Sequence, residues 1–220
     1  MIMDGSNFEP TWLGQCIGKY QVPMDVGRMI NSIYDKNFDK LPPANKQLVG
    51  KIQNEHSLYY QGKDLSKMHH HNVLPKQVLI WLAARFIQYL EYTKTQKYTL
   101  NINSVWINQM KAHEYNPVHV HQGTIFTGLS SVMILKLPKD MGPEYSSTHV
   151  PMNGRLQILG SVAGQFAKTD YTPQIEERDF YIFPYDMRHC VYPMTNPQAT
   201  RRTLSCNVDV EYNSIESRVA

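Results

Sequence analysis

The sequence predicts an α+β fold in which helices come first and an antiparallel jelly-roll half follows. Two observations carry this. Apolar residues recur at helical spacing before about residue 98. Beyond it, short β-rich runs alternate with Gly- and Pro-containing turns. The chain of 220 residues is long enough for one well-buried core. It is therefore read as a single domain over 1–220, with 1–98 as mainly helical support and 99–212 as the jelly-roll core.

The first helix lies in "VPMDVGRMINSIYDKNF", where Val26, Met29, Ile30 and Ile33 share a face and prolines 42 and 43 close the segment. The clearest helix is "LPKQVLIWLAARFIQYLEYTKTQ". Pro75 suits its first turn, and Leu79, Leu82, Ala83, Phe86, Ile87 and Leu90 form one apolar face that should buttress a sheet. After residue 98 the period becomes two. "YTLNINSVWINQM" places Leu100, Ile102, Ser104 and Trp106 on one side and asparagines on the other. "SSVMILKLP", "RLQILGSV", "RDFYIFPY" and "RRTLSCNVDVEY" complete the series of strands.

Composition excludes several classes. Apolar residues make up 42% and charged ones 19%, as in an ordinary folded domain. A net charge of +3, with no basic run longer than Arg201-Arg202, gives no nucleic-acid footprint. Three widely spaced cysteines, at 16, 190 and 206, form no disulfide framework and suit a reducing compartment. The start "MIMDGSNFEP" lacks a secretory pattern, and "VLIWLAA" is too short to span a bilayer. The expectation is a soluble, cytoplasmic protein.

The chemistry concentrates in the β half. In "EYNPVHVHQG", His119 and His121 are two apart, so an extended chain points both to one face, and Pro117 favours extension before it. "DFYIFPYDMRHCVYPM" ends one strand at Pro184 and begins another at His189. Twelve residues on, Arg201, Thr203, Ser205 and Asn207 share a strand face. A guanidinium fork and a hydroxyl two residues away can together hold a carboxylate.

These pieces resemble an Fe(II)/2-oxoglutarate-dependent oxygenase of the double-stranded β-helix type, within a prolyl-4-hydroxylase-like group that includes phage-encoded members. The matching stretches run in order over about residues 104–210: "SVWIN", "NPVHVHQG", "SSVMILKLP", "GRLQIL", "FYIFPYDMRHCVYP" and "RRTLSCN". The resemblance implies that His119 or His121 is the proximal iron ligand and His189 the distal one. It makes Arg201 with Thr203 the anchor of 2-oxoglutarate, with Arg202 as second choice and Asn108 as a pocket-lining candidate. It further implies Fe(II) and 2-oxoglutarate as cofactors, ascorbate as reductant, O2 and a small-molecule or peptide substrate as partners, and succinate and CO2 as products. A phage-encoded member would act in the host cytoplasm.

Two departures stand out. Such enzymes carry His-x-Asp or His-x-Glu, which completes a two-histidine, one-carboxylate face. Here the third place is filled by a second histidine, by water or another anion with Gly123 at the acid position, or by a remote acid such as Glu114. A glycine is also missing before "FYIFP", where Arg178-Asp179 stand. The run His69-His70-His71 splays on any regular backbone and is read as a solvated loop, as are His113 and His149. Tyr115 and Tyr192 fall near the proposed site. Two rivals remain: a three-histidine zinc or cupin-type enzyme, which needs no Arg201, and a jelly-roll binding module without catalysis.

Overall fold

In this computed structural model, the residues described are 14–45, 49–62, 69–93, 95, 97–144, 150–160, 164–165 and 167–212. Two antiparallel sheets dominate. The larger is formed by β1 (Gly18–Gln21), β2 (Asn54–Tyr60), β3 (His71–Asn72), β4 (Tyr98–Met110), β6 (Gly128–Lys136), β9 (Asp179–Pro184) and β11 (Arg201–Tyr212). Its strands lie in the order β1-β9-β6-β11-β4-β2-β3. The smaller holds β5 (Asn116–His119), β10 (Arg188–Val191), β7 (Leu156–Leu159) and β8 (Asp170–Tyr171), in that order. This is the two-sheet architecture expected of a double-stranded β-helix. Helices α1 (Met24–Asn37) and α2 (Lys76–Tyr92) cover the outer face of the larger sheet.

Strand alternation sorts the side chains into two cores. Along β11, Leu204, Cys206, Val208 and Val210 face the helices and pack with Ile30, Tyr34, Leu82 and Phe86. Between the sheets, Met110, Val132, Ile134, Ile158, Tyr181, Phe183 and Val191 form a second cluster. The cavity described below opens on that inter-sheet side.

The first hundred residues are less purely helical than expected, because β1, β2 and β3 join the larger sheet from there. Their polar, irregular flanks hide the period of two. The face of α2 also differs. Val78, Leu82, Phe86, Tyr89 and Leu90 are buried, whereas Ile87 is 39% exposed. Tyr89 turns inward because its hydroxyl donates to the Cys16 carbonyl at 2.8 Å.

The alternation expected along β4 breaks at a bulge. Ser104 pairs with Asn207 and Ile102 with Val208, leaving Asn103 unopposed. Leu100 and Ile102 therefore join Val105 and Ile107 on the helix side, and Trp106, Asn108 and Met110 turn into the inter-sheet space. One extra residue reverses every later side chain. This bulge is what brings Trp106 and Asn108 to the site.

Arg178 explains the missing glycine. Its φ is +74°, the left-handed region that glycine enters without steric cost. Backbone bonds on both sides hold it there: Arg178 N donates to Ile134 O at 2.7 Å, and Val22 N donates to Arg178 O at 2.8 Å. Arg178→Gly is expected to leave the fold intact and to stabilise it by about 1 kcal/mol, read as a rise in thermal midpoint. Arg178→Ile should lower that midpoint.

Candidate functional site

The histidines of the HxH stretch and the distal histidine meet across the smaller sheet. His119, the last residue of β5, is the direct cross-strand partner of His189 on β10. Such partners stand side by side on one face. Both rings are fixed in the same way: His119 Nδ1 lies 2.7 Å from Pro117 O, and His189 Nδ1 lies 3.0 Å from Met187 O. A carbonyl accepts only from a protonated Nδ1, so each ring keeps its lone pair on Nε2. His121 follows just beyond β5, its backbone N–H donating to Tyr185 O at 2.9 Å. Its Nε2 lies 3.1 Å from His189 Nε2, with the two rings stacked at 4.9 Å.

The candidate ligand atoms of the three histidines fall within 4.8 Å of one another. Burial is the main reason they stay neutral. It holds His189 down to about 3, with the neighbouring His119 contributing, and it holds His121 well below the ordinary imidazole range. His119 is lowered too, chiefly by burial. Neutral imidazoles with converging lone pairs are what a cation site requires. Phe183 packs on the His189 ring at 4.7 Å and Trp106 on His121 at 5.8 Å, which restricts both rotamers.

These rings form one wall of a cavity of about 270 Å³ between the sheets. The opposite wall is the inner face of β11 and β4: Arg201, Thr203, Ser205 and Asn207, with Trp106, Asn108 and Met110. Arg201 is 1% exposed, and among the described residues its Nε and Nη2 have no hydrogen-bond partner. Its Nη1 reaches the Met110 sulfur, at 3.8 Å. Burial pulls this guanidinium down to about 10, still charged at neutral pH. An uncompensated buried cation is costly, so its persistence at a cavity wall points to an anionic ligand.

Among the other expected residues, Thr203 and Asn108 line the cavity and are direct cross-strand partners. Arg202 does not join them. It points to the helix side, where it donates to Gln109 and Asn31, pairs with Asp35 at 2.7 Å and lies over the Tyr34 ring. Alternation along β11 makes the two arginines diverge. Arg201 is left for the cavity, and Arg202 ties α1 to the sheet.

Of the two other routes to a third ligand, the remote acid meets an obstacle. Glu114 is buried and accepts from the backbone N–H groups of Gln53 and Lys111, at 3.0 and 2.8 Å, away from the three rings. At Gly123, a Cβ would run into the Asp209 carboxylate. That carboxylate is itself held by Thr124 N, Asn103 Nδ2 and the Tyr185 hydroxyl. Gly123→Ala should therefore cost about 1–3 kcal/mol, checked by denaturant midpoint.

His70 and His71 stand apart, turned to backbone carbonyls of Gly62 and His69. His113 has φ +63° in the connection after β4. His149 lies outside the described residues. Neither Tyr115 nor Tyr192 lines the cavity; the Tyr192 hydroxyl donates to Gln157 at 2.7 Å. Sequence reasoning missed Trp106, Gln122, Asn116, Val49 and Ile52 as cavity residues. Only the bulge at Asn103 and the long-range bridge between Lys51 and Tyr115 bring them there. No helix among the described residues is long and apolar enough to cross a membrane.

Comparison with known proteins follows the same lines. Residues 104–207 match the family described as "Putative 2OG-Fe(II) oxygenase". Comparison with curated proteins gave no match. Among solved structures, a prolyl-4-hydroxylase from Pseudomonas putida is similar at 13% identity, covering 91% of this chain and 94% of its own, with TM-score 0.53. An oxidoreductase of the 2OG-Fe(II) oxygenase family from Burkholderia pseudomallei gives 14%, 87%, 84% and 0.54. A prolyl hydroxylase from Trichoplax adhaerens, solved with a hypoxia inducible factor peptide fragment, gives 10%, 89%, 83% and 0.53. At these identities the structures speak for the shared fold. Residues 104–207, most of the jelly-roll half, are thus similar to the 2OG-Fe(II) oxygenases, a family named for its Fe(II) and 2-oxoglutarate.

Proposed function

We propose that this chain is a single-domain dioxygenase that hydroxylates a C–H bond of a peptidyl side chain such as proline, or of a small molecule. His119, His121 and His189 would hold Fe(II), and Arg201 with Thr203 would hold the distal carboxylate of 2-oxoglutarate. The observation that carries this is the pairing of two features in one cavity: three converging neutral imidazoles on one wall and an unpartnered buried guanidinium on the other.

The donor set fits the metal. Two imidazole nitrogens sharing an ion at about 2.1 Å and near right angles stand about 3 Å apart, which agrees with the 3.1 Å between His121 and His189. Three neutral imidazoles would leave the charge of a bound metal uncompensated, which favours a dianionic co-substrate. Bound Fe(II) with 2-oxoglutarate and O2 supplies the oxidation, with succinate and CO2 as products. Arg201 orients the co-substrate by its fork, Thr203 adds a hydroxyl, and Trp106 and Phe183 hold the imidazoles in place. Val49 and Val120 line the cavity and are about half exposed, giving the mouth an apolar rim suited to a substrate with apolar surface.

The test is anaerobic addition of Fe(II) and 2-oxoglutarate, followed by O2. A visible charge-transfer band and then succinate are expected, with a one-oxygen mass gain on a prolyl peptide panel identifying a peptide substrate. Hydrolytic activity with zinc that survives Arg201→Ala would favour the three-histidine zinc reading instead. Absence of metal and co-substrate binding would favour a binding module.

A further inference from the structure

Asn108 sits in the middle of a polar row that crosses three strands. On β2, Glu55 is its direct cross-strand partner, and on β11 its partner is Thr203. No register shift falls between Asn54 and Ser57, so Glu55, Asn108 and Thr203 share the inter-sheet face. Glu55 is 3% exposed and Asn108 is 6%. Both carry a buried acceptor oxygen without a donor among the described residues: Oε1 of Glu55 and Oδ1 of Asn108. Two neighbouring acceptors cannot satisfy each other unless one gains a proton or the amide turns over.

We infer that Glu55 is a positioning residue: kept as a neutral carboxylic acid, it donates to Asn108 Oδ1 and so turns the Asn108 amide N–H₂ toward the cavity ligand. The consequence for 2-oxoglutarate rests on the reading of the cavity given above.

The surroundings agree. Burial and then the charge of Glu114 push Glu55 up to about 8. Glu114, from the β4–β5 connection, is the ionisable group whose charge bears on it. Asn108 from β4 and Ala44, whose N–H donates to Glu55 O, are neutral. No cation faces it among the described residues that these contacts name. A carboxylic acid fixed in this way makes the amide a donor rather than an acceptor, which suits an anionic ligand beside Arg201.

The test uses full-length wild type, Glu55→Gln and Glu55→Ala, from about pH 6.5 to about pH 9.5. In the absence of ligand, the infrared difference spectrum between wild type and Glu55→Gln should contain a protonated-carboxyl C=O band that fades as pH rises through about 8. A carboxyl raised in the folded state contributes stability that is lost as pH rises through that value. Wild type should therefore lose stability from the low end of this window to about pH 8 and level off above it, and Glu55→Gln should flatten the loss. With Mn(II) present, calorimetric binding of 2-oxoglutarate to wild type should weaken through the same window. Glu55→Gln should bind independently of pH, and Glu55→Ala about tenfold more weakly at low pH.

No acid band, or a binding slope that persists in Glu55→Gln, overturns the inference in favour of an ionised Glu55 that accepts from Asn108 Nδ2. Should wild type bind no 2-oxoglutarate at any pH, the co-substrate reading fails, while the infrared band still decides the state of Glu55. If Glu55→Ala does not fold, the Gln variant carries the test.

Discussion

Arg201→Leu is expected to raise the Kd for 2-oxoglutarate at least about 100-fold while leaving the protein as stable as wild type or more so. Both halves follow from the same observation. The guanidinium is fully buried with two nitrogens unpartnered among the described residues, so without a ligand it is a charge the fold must carry. Burial lowers its folded-state value to about 10, which corresponds to a destabilisation on the order of 3 kcal/mol while it stays protonated. The sign is that of a depressed base: the penalty is fully present at neutral pH and fades only as pH rises past about 10. Leucine removes the charge, a change that in buried ionic sites is neutral or stabilising by about 1–4 kcal/mol. Losing one partner of a buried charge pair costs about 2–5 kcal/mol of binding. Calorimetry with 2-oxoglutarate and a thermal melt of the same sample check both. A variant that loses stability and keeps its affinity would remove Arg201 from the anchor role.

His189→Ala is expected to abolish succinate formation and to weaken Fe(II) binding by more than about 100-fold, beyond what loss of an outer-shell partner produces. His189 is the shared member of the cluster: cross-strand partner of His119, and 3.1 Å from His121. Removing it leaves two nitrogens and a gap against Phe183. His119→Ala and His121→Ala, run beside it under anaerobic Fe(II) titration, test the three-histidine face. If one of them bound iron as wild type does, that residue would leave the ligand set. Wild-type succinate formation in His189→Ala would sink the assignment altogether.

Much of this site was legible from spacing. His119 and His121 two apart, His189 starting a strand, and Arg201 with Thr203 on one face all follow from a period of two, and the structure brings these residues to one cavity. Arg201 and Arg202 could not be separated by composition, but alternation alone sends them to opposite faces. What a period cannot reveal is its own interruption. The bulge at Asn103 sent Trp106 away from Leu100 and Ile102, because one unpaired residue inverts the pleat. The strands β1 to β3 were hidden for related reasons: β1 and β3 are short edge strands, and β2 buries polar residues such as Glu55 and Ser57 and carries its own register shift before Tyr59.

Local pattern was enough for the two helices, the strands that follow residue 98, the set of imidazoles and cations available, and the face of β11 that each of its residues takes. These are local properties, set by backbone geometry and side-chain period. Only the tertiary structure decided that two strands 70 residues apart in the chain place His119 against His189, that Glu114 is spent on backbone amides, and that the Asp209 carboxylate occupies the space beside Gly123. Those outcomes depend on strand register and on competition for buried hydrogen-bond donors, and both are settled only when the two sheets close on each other.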